Sequence, residues 1–306
     1  MSVTVVGSIA FDSVKTPFGE RERMLGGAAV HFALAASFFD EVRIVGPVGD
    51  DFGEAEFGVL TKHNIDTSAI ERVPGGKTFF WRGEYGWDMH GRETLDTQLG
   101  VFESFEPTLS QAARDSDVVF LANIQPDVQR HVRAQCPNTR FAALDTMNLW
   151  IDTARESLVE AINEVDCLIV NDAELRQLAH KPSLVGSARE VLSWSPTSGR
   201  AVVAKLGEYG AALITRDGYF SIPAFPLETV VDPTGAGDCF AGGFVGYIAA
   251  QRGKPLTPTL LRRAMAYGTA IASFNVEEFG TERVARLRMD EIDERVVDLR
   301  RMTAFA

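Results

Sequence analysis

Short β-branched runs alternate with stretches of helical periodicity along most of this chain, and that alternation restricts its possible folds more than any other feature. The strand-like runs centre near Thr4, Val42, Val118, Phe141, Leu168 and Val202, and the helical patterns near Ala29, Gln129, Leu158, Leu175 and Val191. Strands that take turns with helices predict a mostly parallel sheet covered on both faces, an α/β architecture. In such a sheet, ligands sit beyond the carboxyl ends of the strands. Hydrophobic residues make up 45% of the 306, enough for a sizeable core. No internal repeat, low-complexity tract or long Pro/Gly/Ser linker divides the sequence, so residues 1–306 read as a single α/β domain. From Thr257 the pattern turns helical, and the charged stretch from Glu291 to Arg301 reads as a solvated helix on the rim.

Charge and composition narrow the partners. A net charge of −12 and no basic stripe argue against nucleic-acid binding and toward small-molecule chemistry. The longest apolar run, Cys239 to Ala250, is too short to span a bilayer. Met1 to Gly7 reads as a strand rather than a signal peptide, so a cytoplasmic location is expected. Cys136, Cys167 and Cys239 are odd in number and unclustered, which fits reduced thiols better than a disulfide frame or a metal site.

The segment VVDPTGAGDCFA, Val230 to Ala241, carries the most chemistry. Val230 and Val231 read as the end of a strand, Asp232-Pro233 as its break, and Gly235-Ala236-Gly237 as the start of a helix running through Phe240, Phe244 and Ile248. Glycines there leave backbone N–H groups open to an anion, and the helix dipole adds partial positive charge. Asp238 follows at once, and a carboxylate beside a phosphate site suits a general base acting on an attacking hydroxyl. The alternative is a plain helix start whose first-turn acid satisfies the dipole. A dinucleotide fingerprint fails because Phe240 stands where its third glycine belongs, and no Gly-Lys-Ser/Thr of a Walker loop occurs.

Near the amino terminus, Asp12 falls just past the first strand and Gly26-Gly27 open an apolar helix. All three lie on the expected ligand side, where a carboxylate can accept bonds from vicinal sugar hydroxyls; a turn aspartate and a helix start are the bland readings. In VGPVGDDFG, Asp50 and Asp51 read as caps of the next helix. One region breaks the alternation: Lys77 to Phe102 crowds Phe79, Phe80, Trp81, Tyr85 and Trp87 among Arg82, His90 and Arg92. It reads as an antiparallel flap, formed by about residues 12–25 and 77–102, that closes over a ligand or forms a homodimer surface.

Together these segments resemble the ribokinase family of carbohydrate kinases, also called the PfkB family, over nearly the whole chain. DPTGAGDCFAGGF is similar to the family's carboxyl-terminal signature, Gly26-Gly27 to its amino-terminal glycine pair, and Asn171-Asp172-Ala173-Glu174 to its N-x-x-E element. The resemblance implies a three-layer ribokinase-like fold with a small β lid. It also implies Asp238 as catalytic base, the amides of Gly235, Ala236 and Gly237 as an anion hole, and Asp12, Gly26 and Gly27 at the acceptor. Asn171 and Glu174 resemble the pair that organises Mg2+ and its waters; without the family Asn171 would read as a helix cap. VVAKLGEYGAAL resembles the strand and turn beside the nucleotide, which places Lys205, Gly207, Glu208 and Gly210 along the ATP site; a simple hairpin turn is the bland reading. LDTMNLW is similar, at shortened spacing, to an element of some sugar-acid and hexose kinases, with Asp145, Asn148 and Trp150 in place.

The expected activity is ATP- and Mg2+-dependent phosphoryl transfer to a hydroxymethyl group of a sugar. A nucleoside kinase of the same family is the alternative, and a non-catalytic ligand-binding regulator the reading from outside the enzymes. Dependence on a monovalent cation is left open.

Overall fold

The structure, a computed structural model, describes residues 3–89, 91–195 and 200–304. His90 of the aromatic segment lies outside the described residues. The strands are β1 (Val3–Val6), β2 (Ala10–Thr16), β3 (Gly19–Gly26), β4 (Val42–Val48), β5 (Ile70–Arg72), β6 (Phe79–Tyr85), β7 (Arg92–Gln98), β8 (Val118–Leu121), β9 (Phe141–Leu144), β10 (Cys167–Asn171), β11 (Ala201–Lys205), β12 (Ala211–Thr215) and β13 (Tyr219–Ile222). The helices are α1 (Ala28–Ala36), α2 (Glu54–Lys62), α3 (Gln111–Arg114), α4 (Pro126–Gln135), α5 (Asn148–Thr153), α6 (Arg155–Asn163), α7 (Asp172–Ala179), α8 (Leu184–Ser193), α9 (Ala236–Ala250), α10 (Pro258–Asn275) and α11 (Met289–Thr303).

Nine strands form the main sheet in the order β13-β12-β11-β10-β9-β8-β1-β4-β5. From β11 to β5 the pairs are parallel, and β12 and β13 add antiparallel at one edge. Successive strand residues point to opposite faces, and the apolar side chains divide accordingly. Val5, Phe120, Ala143, Ile169 and Val203 pack with α1, α9 and α10 on one face, while Val6, Leu121, Leu144, Val170 and Val202 pack with α4, α6, α7 and α8 on the other. Both faces of each central strand are therefore buried, which is why these strands read as continuous apolar runs. Among the described residues no helix is long and apolar enough to cross a membrane.

The other four strands make a separate sheet in the order β3-β2-β6-β7. It is mixed rather than antiparallel: β2 and β6 pair in parallel, with β3, α1, β4, α2 and β5 between them in sequence, whereas β2/β3 and β6/β7 are hairpins. A small apolar cluster of Val14, Tyr85 and Phe279, joined by Met24, Trp81, Met89 and Val231, fastens one face of this sheet to the body. Trp87, at the β6–β7 turn, is 90% exposed.

Two expectations from sequence are corrected here. Val230 and Val231 belong to no strand; the Val231 N–H bonds Val276 O, so their backbone meets the end of α10 rather than a sheet edge. Asp50 and Asp51 cap nothing. Gly53 stands at the start of α2 and its N–H is held by Glu56, while Asp51 Oδ1 accepts from the Thr78 N–H and hydroxyl, and Asp50 Oδ2 from Gly75 N–H.

Candidate active site

Three neighbouring parallel strands deliver a polar residue at their carboxyl ends. Asp145 follows β9, Asn171 ends β10 and Lys205 ends β11, with Asn171 and Lys205 directly opposite in register. Lys205 Nζ donates to Asp145 Oδ2 at 3.0 Å, and both side chains are largely enclosed. Burial alone would lower the Lys205 ammonium; Asp145, then Glu174 and Asp238, outweigh it and hold the group above its ordinary value. The lysine therefore stays charged where it stands.

The start of α9 faces this lysine. Gly235 takes the cap position with φ +75° and no side-chain cap; a β-carbon there would lie 2.3 Å from the buried His31 ring. Glycine alone fits that left-handed turn. Among the described residues the Gly237 and Asp238 N–H groups meet no acceptor, so they are the free donors a helix start offers an anion. Lys205 Nζ lies 2.9 Å from where a Gly237 β-carbon would stand, which sets an ammonium beside those amides. The loop ahead is braced from both sides. Asp232, fully buried, accepts from Thr234 N–H and from Gly280 N–H at 2.9 Å each, and Asn275 donates to Thr234 O at 2.7 Å.

Asp238 itself is pushed up to about 7, first by burial and then by the negative charge of Asp145, with Lys205 and Arg92 pulling it back. Burial, with Asp232 adding, likewise raises Asp12 to about 7 against the Gly27 amide and Arg92. Asp12 lies inside β2 of the small sheet rather than just past the first strand, and its Oδ2 accepts a 3.4 Å bond from Gly27 N–H. A β-carbon on Gly26 would stand 2.0 Å from that oxygen, so the first glycine of the pair makes room for the carboxylate. The second begins α1, where Ser8 supplies the missing cap by accepting from Ala28 N–H at 3.0 Å.

Asn171 and Glu174 form a reciprocal cap on α7. Glu174 N–H donates to Asn171 Oδ1 at 2.8 Å, and Asn171 N–H to Glu174 Oε2 at 3.0 Å. Burial and the Asp145 charge raise the Glu174 carboxyl despite Lys205. The excess of buried acid suits a cation, yet among the described residues no three His, Cys, Asp or Glu side chains converge to hold a metal unaided. That donor set fits Mg2+, which takes one or two carboxylates and completes its shell with phosphates and water. Gly207, Glu208 and Gly210 lie in the exposed turn that joins β11 to β12, beside Lys205 but outside the carboxylate group.

The sequence profile of the pfkB family carbohydrate kinase matches residues 3–286. The chain belongs to that family. As a pfkB-family kinase it is a phosphotransferase with an alcohol acceptor, and the family works with ATP and a divalent metal. It is 29% identical to the cytidine kinase of Thermococcus kodakarensis over 84% of this chain and 91% of that protein. It is 25% identical to the probable fructokinase-2 of Arabidopsis thaliana over 83% and 82% of the two chains. The crystal structure of a nucleoside kinase from Methanocaldococcus jannaschii superposes with a TM-score of 0.79, covering 97% of this chain and 98% of that one at 21% identity.

Sequence reasoning about this kinase missed Asp145 as a site residue, placing it instead in the LDTMNLW element. There Trp150 Nε1 donates to Asn123 and Asn148 opens α5, so that segment chiefly braces the strand ends. The available signal was positional: like Asn171 and Lys205, Asp145 is a polar residue closing an apolar run, FAAL. Arg92 and Asn275 were missed as well, because nothing local in sequence joins either to the helix start at Gly235.

Proposed function

We propose that this kinase transfers the γ-phosphoryl group of ATP to a hydroxymethyl oxygen of a sugar, with Asp238 accepting the hydroxyl proton. The observation that carries the reading is the pairing of a carboxyl held near 7 with helix amides that have no acceptor of their own. A base is most effective with a pKa near the working pH. The unpaired amides of Gly235, Gly237 and Asp238 steady the charge that develops on the transferred group, helped by Lys205; the Ala236 N–H expected among them donates to Pro233 O instead. Asp12 accepts bonds from sugar hydroxyls, with Gly26 making room for its carboxylate and the Gly27 N–H donating to it. Lys205 and the turn at Gly207, Glu208 and Gly210 border the nucleotide. Glu174, oriented by Asn171, would hold Mg2+ through water, and the ion when bound neutralises phosphate charge. The four-stranded sheet serves as a lid that keeps water from competing for the phosphoryl group.

A nucleoside acceptor is the second reading. Trp81 stands opposite Asp12 in register, which supports a role for its ring in stacking on a base attached to the sugar that Asp12 holds. Incubation with Mg·ATP and a panel of free sugars and nucleosides, followed by ADP release, tests both. Turnover of sugars supports the first reading and turnover of nucleosides alone the second. Tight binding without any turnover would overturn both in favour of a non-catalytic regulator.

A further inference from the structure

Alternate residues along β6 share a face, so Trp81, Gly83 and Tyr85 line one side of the lid. Asp12 stands opposite Trp81 and Arg92 opposite Tyr85, which brings both to that same side. Contacts fix where it looks. The Arg92 guanidinium lies 5.4 Å from the Trp81 ring, Thr234 Oγ1 and Tyr85 OH are 3.2 Å apart, and Tyr85 packs with Phe279 near Val231. Arg92 therefore projects from the lid over the loop that leads into Asp238.

The other cations on the lid strands are committed elsewhere: Lys15 to Glu84, Arg23 to Asp51, Arg82 to Glu22, and Arg21 to the Phe279 ring and the Glu20 carbonyl. Among the described residues, Arg92 has no carboxylate within ion-pair distance. It is nevertheless felt by three of them. Burial raises the carboxyls of Asp12, Glu174 and Asp238, and the Arg92 charge is among the influences that hold each one back. A cation that senses three acids and pairs with none stands above the gap between them, where the acceptor must lie for Asp238 to reach its hydroxyl.

A neutral sugar is served by hydroxyl partners such as Asp12 and has no group that calls for a guanidinium. The fixed fork of an arginine instead matches the oxygens of a phosphate or carboxylate. The transferred phosphoryl group already has the α9 amides and Lys205. We propose that Arg92 reads an oxyanion substituent on the acceptor, so that this kinase prefers an anionic sugar, phosphorylated or carboxylated, to a neutral one. The proposal rests on the kinase reading and names its substrate class.

The test compares ribose, ribose 1-phosphate and ribonate, each with a free 5-hydroxyl, at saturating Mg·ATP in the parent, Arg92→Gln and Arg92→Lys. The parent should favour an anionic acceptor. At pH 8.5, where Asp238 stays ionised without help from Arg92, Arg92→Gln should lower its kcat/KM by roughly 30- to 150-fold, the weight of a charge-assisted pair, and the loss on ribose should be at least about tenfold smaller. Arg92→Lys should restore part of the loss. The acceptor that suffers tells phosphate from carboxylate. Equal losses on all three would place Arg92 on the transferred phosphoryl group and overturn the proposal, as would no loss at all. If none is phosphorylated, the kinase reading fails, and calorimetric binding of ribose 1-phosphate to parent and Arg92→Gln still decides the arginine: equal affinities overturn it.

Discussion

Asp238→Asn removes a charge and keeps a shape, and it should slow the enzyme while making the fold more stable. The carboxyl moves from an ordinary 3.8 to about 7 on folding. A carboxyl raised in this way binds its proton more tightly in the folded chain than in the unfolded one. It therefore weakens the fold as pH climbs from about 4 to about 7, and the cost is complete above that. About three pH decades at about 1.4 kcal/mol each give a ceiling on the order of 4 kcal/mol. The favourable dipole at the start of α9 is worth only about 0.3–1 kcal/mol, too little to reverse the sign. The amide escapes the cost. At pH 8.5 the variant should exceed the parent by roughly 2–4 kcal/mol, or about 3–6 °C in Tm for a chain of this length, and the gap should close near pH 4. Turnover should fall by about two to four orders of magnitude with nucleotide affinity retained. Calorimetric melting at both pH values and ADP release provide the readouts. A variant less stable than the parent at pH 8.5 refutes the burial argument, and near-parental turnover refutes Asp238 as base.

The parent's own pH profile follows from the same groups. With Asp238 and Asp12 both near 7, kcat/KM should climb at least tenfold per pH unit below about 7 and level off above it; a flat profile from pH 5.5 to 8 would contradict the assignment. Gly26→Ala would press a methyl within 2.0 Å of Asp12 Oδ2, so the acceptor KM should rise by about 10- to 100-fold with the ATP KM unchanged. Gly58→Ala, which meets nothing within 4 Å, is the matched control, and equal kinetics for the two would refute the crowding. Gly237→Val should damage turnover and nucleotide affinity together, because the β-carbon alone would stand 2.9 Å from Lys205 Nζ. Unaltered kinetics there would put the phosphate cradle elsewhere.

The sequence by itself determined the layered architecture and one half of the site. Runs such as Leu168 to Val170 and Val202 to Ala204 are apolar at every position because both faces of a parallel strand are buried. The glycines and acid of Gly235 to Asp238 lie within one turn, so their chemistry is local and readable. Tertiary structure decided the rest. Val230 and Val231 look like a strand because β-branched residues favour one, but a strand also needs a partner edge, and their backbone meets the end of α10 instead. Asp12 and Asp238 acquire their elevated pKa values first from burial and then from Asp232 and Asp145 respectively, acids remote from them in the chain. Asp145 meets Lys205 only because β9, β10 and β11 lie side by side. Arg92 comes over the site through the register of a second sheet. Charge interactions act through space and strand pairing is long-range, so neither leaves a mark in local spacing, whereas periodicity and turn chemistry do.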